Sequence, residues 1–409
     1  MDKALKPLMD VLEDGKYLNI ALQECLDERH FLSFLIRGVV ENAVFLDHVI
    51  DSYSKTPIRK MKPVIRNIMR MAVFEILFAG SVPDHAAVNE AVKLAKKRGF
   101  TGLSGFVNGV LRNIARNKEE ILKQEYEPHI RYSMPKHIYD MWSEEYGKER
   151  ADEICRAFLE PSDVTLRVNT LRVSPEELAE RLGAEKDERL SYALRLKTAD
   201  GLTSLPGFKE GLFYIQDITS MMVCEKAGIK KDMKILDMCS APGGKSINAA
   251  LLMEGKGKVT SRDVSEKKVD LIKENVERLG LNNIKTEVKD ALKLYEEDME
   301  SYDIVIADLP CSGLGIIGKK PDIKYRVTKE DIESLQKLQR DMLKNAVRYV
   351  KKGGRLVYST CTVTSMENRE NTGWIEHEYP MMKKTYEEQF LPEAGSNDGF
   401  FISVFERQK

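Results

Sequence analysis

The sequence predicts a multidomain protein in which an all-α helical bundle precedes a small α/β module and a doubly wound α/β domain. A chain of 409 residues is longer than one hydrophobic core usually supports. Residues 1–125 carry apolar side chains at helical spacing, which predicts the bundle. Residues 216–409 alternate short apolar strands with amphipathic helices, which predicts a parallel sheet with helices on both faces. Residues 126–215 mix helix and strand patterns and form the predicted small module.

The composition is ordinary for a soluble protein, with 42% hydrophobic and 32% charged residues. The first residues lack a signal-peptide core, and no apolar run approaches the length of a membrane span. We therefore expect a cytoplasmic protein that does not bind membranes. The formal net charge of -1 gives no overall basic character. Any surface that binds nucleic acid must then be a local patch.

The six cysteines form no C-x-x-C pair, and none of the six histidines stands at zinc-finger spacing from them. We therefore expect neither a disulfide framework nor a bound metal. Cys25, Cys155 and Cys224 fall in apolar helical patterns, which favours buried thiols of the core. The other three cysteines lie at the ends of predicted strands.

Helical periodicity and helix stop signals define the elements of the first half of the chain. A strand is predicted at Val164–Val173, and Ser174 and Pro175 predict the cap and first turn of the next helix. The predicted helices are 31–50, 64–79, 88–98, 104–116, 135–146 and 148–159.

The second half is more regular. A last strand, Asp398–Phe405, is expected to lie antiparallel at the edge of the sheet. Ser265 and Thr328 are predicted helix N-caps. The predicted strands are 233–239, 258–264, 283–289, 302–308 and 354–360, and the predicted helices between them are 246–254, 265–279 and 328–350.

Residues 235–246, Ile-Leu-Asp-Met-Cys-Ser-Ala-Pro-Gly-Gly-Lys-Ser, predict a strand, a glycine turn and the start of a helix. Glycine lacks a Cβ, so such a turn lets backbone N–H groups approach a ligand closely. Ligands of doubly wound sheets bind beyond the C-terminal ends of the strands. Asp263 ends the second strand, where an acid can bind ribose hydroxyls, and Asp290 ends the third and is suited to an adenine amine.

The pattern A-P-G-G-K differs from the G-x-G-x-x-G of hydride-transfer enzymes, and it lacks the first glycine of a P-loop. Among ligands that contain adenosine, S-adenosyl-L-methionine fits best. The fourth strand ends in Asp308-Leu-Pro-Cys-Ser-Gly313, and the fifth ends in Ser359-Thr-Cys361. Two thiols beside a methyl donor indicate covalent catalysis.

Cytosine is the base that this chemistry suits. Its carbon-5 is a poor nucleophile, but addition of a thiolate at carbon-6 gives carbon-5 enamine character. Asp308 is suited to protonate or hydrogen-bond N3 of the base. The scheme needs one nucleophile, one acid and one group that assists release of the product.

Two parts of the chain resemble known families. Arg70–Leu77, Val88–Ala95 and Phe106–Arg112 are similar to motifs of the NusB family of RNA-binding antitermination domains. Residues 216–405 strongly resemble the RsmB/Sun family of RNA 5-cytosine methyltransferases, which have a Rossmann-like fold. The motifs that carry this second likeness are Gln216-Asp217, Cys239–Lys245, Asp308–Gly313, Lys320–Lys324, Tyr358–Cys361, Glu367-Asn368 and Asp398–Phe401. With the NusB-like front, the whole chain is similar to the small-subunit ribosomal RNA branch of that family.

The resemblance implies roles for particular residues. Cys361 would be the nucleophile, and Cys311 would promote release of the methylated RNA. Ser240 and Leu309 stand where the family commonly has alanine, and both changes are tolerable. The contacts to the methyl donor carry over to Cys239, Ser240, Ala241, Pro242, Gly243, Gly244, Lys245, Asp263, Asp290 and Asp308.

The resemblance also implies the partner, 16S ribosomal RNA of the small subunit, with no binding of DNA and a monomeric state. Two other functions stay open: the same chemistry on transfer RNA, or a mainly RNA-binding assembly factor. Three polar groups are candidate RNA contacts, each with a solvated or structural alternative. They are Arg66, Arg70 and Arg112 of the bundle, Arg167, Asn169 and Arg172 of the small module, and Lys319, Lys320, Lys324 and Arg326 after the fourth strand.

Overall fold

The computed structural model describes residues 1–23, 29–80, 82–161, 163–197 and 201–409, so the prediction for Cys25 lies outside the described residues. The chain forms two compact units. The helical unit contains Met1–Leu159 and Ile317–Val327, and the α/β unit contains Glu160–Ile316 and Thr328–Lys409. The finer division at residues 125 and 215 stays a prediction. Among the described helices, none is both long and apolar enough to cross a membrane.

The predicted helices of the helical unit are confirmed. Leu35, Val39 and Leu46 lie on one stripe of the long third helix and are almost completely buried. Gly99, at a φ of +86°, follows the fifth helix, where only a residue without a Cβ turns the chain without strain. The helices are α1 (Asp2–Leu12), α2 (Leu18–Gln23), α3 (Arg29–Tyr53), α4 (Pro63–Phe78), α5 (Asp84–Lys97), α6 (Ser104–Arg116), α7 (Lys118–Lys123), α8 (Pro128–Arg131), α9 (Lys136–Tyr146) and α10 (Lys148–Ala157).

The arginines of α4 have structural partners. The guanidinium of Arg70 is mostly buried and donates to both carboxylate oxygens of Asp47, each at 2.7 Å. Arg66 forms an ion pair with Glu13. Arg70 is therefore a buried structural residue, and its prediction as a phosphate contact is wrong; Arg112 is exposed.

The segment Ile317–Val327 belongs to the helical unit, and its basic residues differ in their exposure. Lys319 and Lys320 are exposed. Lys324 is 2% exposed, and its ammonium donates to the carbonyls of Glu41 and Ser133, both at 2.7 Å. The prediction of Lys324 as a phosphate contact is wrong, because its charge is enclosed by the helical unit.

The small module of the α/β unit is an antiparallel sheet in the order β2–β3–β1–β4. Its helix begins after Ser174, whose hydroxyl accepts from the backbone N–H of Glu177 at 3.2 Å, as the sequence predicts. The elements are β1 (Val164–Val168), α11 (Pro175–Leu182), β2 (Glu185–Lys186), β3 (Ala193–Leu196) and β4 (Phe213–Ile215).

Strand β1 is an inner strand of this sheet and does not present a row of side chains that could bind RNA. Arg167 is 1% exposed. Its Cζ lies 3.6 Å from the centroid of the Tyr192 ring, and its Nε donates to the Oδ1 of Asn248 at 2.7 Å. Asn169 is buried and donates to the carbonyls of Gly211 and Leu279. The prediction of these two side chains as RNA contacts is wrong. Arg172 is exposed.

The large sheet has seven strands in the order β10–β11–β9–β8–β5–β6–β7. The five predicted strands are confirmed and run parallel to one another. The last strand is antiparallel, as predicted, but it lies one position inside the edge, between β9 and a strand that the sequence did not reveal. The strands are β5 (Lys234–Asp237), β6 (Lys258–Asp263), β7 (Ile284–Val288), β8 (Tyr302–Asp308), β9 (Val350–Thr360), β10 (Met382–Phe390) and β11 (Phe400–Arg407).

Helices cover this sheet and bury its apolar strands. Thr328 caps its helix in a reciprocal capping box with Asp331, whereas Ser265 makes no side-chain cap bond. The helices are α12 (Ile218–Ala227), α13 (Gly244–Leu252), α14 (Glu266–Leu279), α15 (Lys329–Tyr349) and α16 (Arg369–Glu378). The strand order reverses at β5, which pairs with β6 on one side and β8 on the other, and this defines the switch point.

Candidate active site

A cleft of about 270 Å³ opens at the C-terminal ends of β5, β8 and β9. Because the order of the strands reverses between β5 and β8, the loops that follow them diverge and leave room for a ligand. The cleft therefore lies where the sequence predicts it. Its lining residues include Tyr214, Gln216, Asp217, Ser220, Asp237, Cys239, Ser240, Ala241, Pro242, Gly244, Lys245, Asp308, Cys361, Asp398 and Phe400.

The glycine turn leads from β5 into α13. Gly243 adopts a φ of +107°, which a residue with a side chain rarely tolerates. A Cβ on Gly244 would lie 3.3 Å from the ring of Tyr214 and 3.4 Å from the amide of Gln216. The turn that forms one wall of the cleft thus requires Gly243, and a side chain at position 244 would force Tyr214 and Gln216 to shift by a few tenths of an ångström.

A buried row of hydroxyl groups supports this turn from below. Ser246 donates to the carboxylate of Asp237 at 2.7 Å, and its hydroxyl lies 2.9 Å from that of Ser261. Ser261 donates to Ser240 at 2.7 Å, and Ser240 donates to the carbonyl of Arg262 at 2.9 Å. The hydroxyl of Ser240 therefore ties the loop to β6.

Lys245 and Asp308 form the charged pair of the cleft. The Nζ of Lys245 donates to Asp308 at 2.6 Å and to the hydroxyl of Ser220 at 3.1 Å. Ser359 donates to the other oxygen of Asp308 at 2.7 Å. Burial lowers the pKa of Lys245, but the adjacent Asp308 carboxylate outweighs it and raises the pKa above its usual value. The side chain of Lys245 is consequently a protonated partner of Asp308.

The two cysteines predicted to act together are in contact, with their Sγ atoms 3.3 Å apart. Both thiols are free and half-buried. The hydrogen bond to Cys361 raises the pKa of Cys311; burial, and the carboxylates of Glu367 and Asp308, act in the same direction. Cys311 is therefore held as a thiol beside Cys361.

The remaining predicted residues surround this centre. Burial raises the pKa of the Cys239 thiol, so this cysteine is not a reactive thiolate. Asp263 ends β6 and accepts from the backbone N–H of Ser265 at 3.2 Å. Asp290 lies beyond β7 and accepts from the N–H of Leu292 at 3.0 Å. Asp263 and Asp290 do not line the cleft described above.

The structure brings to the site two residues for which the sequence predicted no role. Glu367 and Asn368 are completely buried beneath the two cysteine loops and bind both of them. Both belong to a motif that the chain shares with the methyltransferase family. An acidic residue next to an amide shortly after the fifth predicted strand was the available signal, but their hydrogen-bond partners are distant in sequence.

Comparisons with known proteins define the class. A family model described as 16S rRNA methyltransferase RsmB/F matches residues 227–406, the NusB family model matches 2–116, and a model of the RsmF/B-like ferredoxin-like domain matches 134–200. The α/β unit is thus of the methyltransferase class, and both resemblances are confirmed.

Relatives that span the chain identify the family. A protein of Bacillus subtilis (strain 168), described as probable ribosomal RNA small subunit methyltransferase B, is 36% identical over 98% of this chain and 97% of its own length. A protein of Synechocystis sp. with the same description is 32% identical over 97% and 96%. The chain belongs to the ribosomal RNA small subunit methyltransferase B family.

Solved structures agree with this fold. The crystal structure of PH0851 has a TM-score of 0.79 with 25% identity, over 100% of this chain and 99% of that one. A methyltransferase homolog protein from Pyrococcus horikoshii has a TM-score of 0.59 with 28% identity, over 68% of this chain and 97% of that one.

Proposed function

We propose that this protein transfers a methyl group from S-adenosyl-L-methionine to carbon-5 of a cytosine in 16S ribosomal RNA, through a covalent bond between Cys361 and carbon-6. The observation that carries the proposal is the contact between the sulfurs of Cys311 and Cys361 beside the Lys245–Asp308 pair. A second thiol has no use in a simple transfer to an amine or a hydroxyl group. It does have a use where a first thiol must later leave the substrate.

The cleft fits S-adenosyl-L-methionine, which would supply an electrophilic methyl group. Gln216 and Asp237 each have a buried side-chain oxygen without a hydrogen-bond partner in the described part of the chain, and both residues line the cleft. Buried acceptors of this kind suit a ligand with amino and hydroxyl donors. We assign Cys239–Lys245 and Asp308 to the same ligand, and Asp263 and Asp290 to its ribose and adenine.

The chemistry follows from the placement of the protonated lysine and the thiols. The Cys361 thiolate adds to carbon-6 of the cytosine, and the electron pair of the ring moves toward N3 and carbon-5. A proton from the ammonium of Lys245, whose Nζ lies 2.6 Å from Asp308, passes through the carboxyl group of Asp308 to N3, and the resulting N3–H donates a hydrogen bond to Asp308 and stabilises the adduct. After methylation, the carbon-5 proton passes to water and the double bond is restored, Cys361 leaves as a thiolate while Cys311 assists, and the N3 proton returns to the Lys245–Asp308 pair.

The test of the enzyme is transfer of tritiated methyl groups to ribosomal RNA by the purified protein. We expect Cys361→Ala to reduce incorporation by at least about 1,000-fold, because a covalent nucleophile is lost. We expect Cys311→Ala to leave a protein–RNA adduct that survives denaturing electrophoresis. Cys155→Ala, a buried thiol of the helical unit, is the matched control and should stay active. Near-full activity of Cys361→Ala would overturn the assignment of the nucleophile.

The choice of ribosomal RNA as the substrate is supported by the similarity of the whole chain to small-subunit methyltransferases. Transfer RNA is the alternative substrate, and a mainly RNA-binding assembly role is the alternative from another class. Bisulfite maps of RNA from a deletion strain separate the two substrates by where a 5-methylcytosine disappears. Zero incorporation into mixed ribosomal RNA would favour the assembly role. A monomer that binds neither DNA nor membranes stays part of the proposal.

A further inference from the structure

The loop that carries Cys311 is fixed by one buried carboxylate. Glu367 is 0% exposed and accepts four hydrogen bonds from neutral groups. Its Oε1 accepts from the backbone N–H of Ser312 at 2.8 Å and from the side-chain amide of Gln339 at 3.0 Å. Its Oε2 accepts from the hydroxyls of Ser312 at 2.6 Å and Thr364 at 2.8 Å. A carboxylate buried in this way is stable only while these donors stay in place.

The same network holds the residue on the other side of Cys311. The amide of Gln339 that donates to Glu367 also donates to the carbonyl of Pro310 at 2.9 Å. Both chain neighbours of Cys311 are therefore tied to Glu367, one directly and one through Gln339. A movement of the Cys311 backbone would therefore break at least one of these buried hydrogen bonds.

Asn368, the next residue, does the same for Cys361. Its Oδ1 accepts from the hydroxyl of Thr360 at 2.6 Å, and its Nδ2 donates to the carbonyl of Thr362 at 3.1 Å. These threonines are the two chain neighbours of Cys361. Asn368 is also completely buried.

A direct bond joins the two loops. The hydroxyls of Ser312 and Thr362 lie 2.7 Å apart, and each belongs to the residue that follows a cysteine. Because Ser312 donates its hydrogen to Glu367, Thr362 must be the donor in this bond. The two cysteine loops are therefore one hydrogen-bonded unit built on Glu367 and Asn368.

We propose that Glu367 and Asn368 are positioning residues that set the contact between the sulfurs of Cys311 and Cys361, Glu367 for the release step and Asn368 for the attack. This inference rests on the proposed function. Glu367 additionally places a negative charge near Cys311, which disfavours the thiolate of that residue and leaves its S–H as a hydrogen-bond donor to Cys361.

The release step shows why this arrangement matters. The carbon-5 proton passes to water, and the electron pair of its bond forms the double bond between carbon-5 and carbon-6. The bond between carbon-6 and sulfur breaks, and its electron pair stays on Cys361 as a thiolate. The S–H of Cys311 donates a hydrogen bond to this sulfur as its charge develops, which lowers the barrier only while the 3.3 Å contact is kept.

The decisive variant is Glu367→Gln, in which an amide NH₂ replaces one of the two acceptor oxygens. We expect adduct formation in a single turnover to stay within about threefold of wild type, while release slows on the order of 10- to 100-fold, as misplacement of about 1 Å can produce. The adduct should therefore accumulate on denaturing gels, as in Cys311→Ala. Ser312→Ala, which removes one hydroxyl only, tests the same point with a smaller change if Glu367→Gln folds poorly.

Asn368→Ala should behave differently, because it loosens the nucleophile. We expect slower formation of the adduct and no accumulation. Asp187→Asn, a buried carboxylate of the small module that pairs with Arg189 and Arg195, is the control for general loss of stability and should not trap RNA. If adduct formation and release slow by the same factor in Glu367→Gln and in Ser312→Ala, the inference is overturned. If wild type forms neither product nor adduct, the proposed function itself fails.

Discussion

Two buried aspartates of the α/β unit have pKa shifts of opposite sign. Burial raises the pKa of Asp237 from 3.8 to about 7, although Ser246 donates to it and Lys245 is near. Burial also acts to raise the pKa of Asp187, but hydrogen bonds from Arg189 and Arg195 outweigh it and lower the pKa to about 2. An ionised aspartate thus stabilises the fold at position 187 and destabilises it at position 237.

We predict that Asp237→Asn becomes more stable relative to wild type as pH rises. The stabilising contribution of Asp237 is full below its unfolded pKa of 3.8 and is lost as pH rises through about 7, because the folded state binds the extra proton. The amide avoids this loss, so the gain in free energy of unfolding should reach about 1–3 kcal/mol at pH 8. Urea unfolding from pH 5 to 8, followed by the fluorine resonance of 5-fluorotryptophan at Trp374 in the α/β unit, measures it.

Asp187→Asn is the matched comparison. Its carboxylate contributes stability above pH 3.8 that is lost only as pH falls through about 2. The variant should therefore cost about 1–3 kcal/mol at every pH from 5 to 8. Parallel curves for Asp237→Asn and wild type would contradict the shift of Asp237.

The residues that we propose to react could be brought together from sequence because each ends a strand, and strand ends of a doubly wound sheet converge. Cys311, Cys361 and Asp308 meet for this reason. Glu367 and Asn368 were not assigned, since the positioning role that we propose for them consists of hydrogen bonds to loops as far as 55 residues away. Periodicity describes local structure and contains no information on such partners.

At the level of elements, the central strands were predicted and β10 was not. The central strands are buried on both faces and read as continuous apolar runs. Strand β10 lies at the edge and contains Lys383, Lys384, Glu387 and Glu388, which have no apolar periodicity. Edge strands commonly carry such charges, which discourage pairing with another chain. The last strand was therefore assigned to the edge that β10 in fact occupies.

The segment Ile317–Val327 is the clearest error of sequence interpretation. A run of basic residues next to an active-site loop indicates either solvent or RNA. One of them, Lys324, is buried in the structure. Backbone carbonyls of α3 and of the turn at Ser133 accept hydrogen bonds from its ammonium group. Burial lowers the pKa of Lys324 from 10.5 to about 8.

We predict that this lysine makes the stability of the helical unit rise with pH in alkaline solution. At Lys324 the unfolded state binds more protons than the folded state between pH 8 and 10.5, so this residue adds to the free energy of unfolding as pH rises there. Lys324→Met should lack this increase, which we expect to be about 1–3 kcal/mol. The fluorine resonance of Trp142, which lies in the helical unit, reports the transition.

Lys320→Met is the control for Lys324→Met, because Lys320 is exposed and should follow wild type. Burial raises the pKa of Cys155, near Lys324, from 9.0 to about 12, so its thiol ionises first in the unfolded state and lowers stability as pH rises above 9. This contribution is common to wild type and both lysine variants, and it cancels in their comparison. An alkaline rise of equal size in Lys324→Met would show that another group is responsible.

At the scale of the whole molecule, the two compact units are interleaved in sequence. The chain leaves the α/β unit after Ile316, contributes Ile317–Val327 to the helical unit and returns at Thr328. The sequence predicts consecutive domains, since length and periodicity cannot reveal a short return of the chain. The consequence is that the helical unit is incomplete without eleven residues that lie far from it in sequence.

We therefore predict that a fragment of residues 1–159 is less stable alone than with a peptide of residues 317–327. Within the complete unit, Tyr325 packs on the helical core and donates to the carbonyl of Val40 at 2.7 Å, and Asp322 accepts from the N–H of Leu18 at 3.3 Å. A peptide that restores these contacts binds only the folded fragment. At about 100 times its Kd it should add about 2.7 kcal/mol to the free energy of unfolding, read by Trp142 fluorescence. A scrambled peptide is the control, and equal melting with both peptides would mean that the segment is not needed to complete the helical unit.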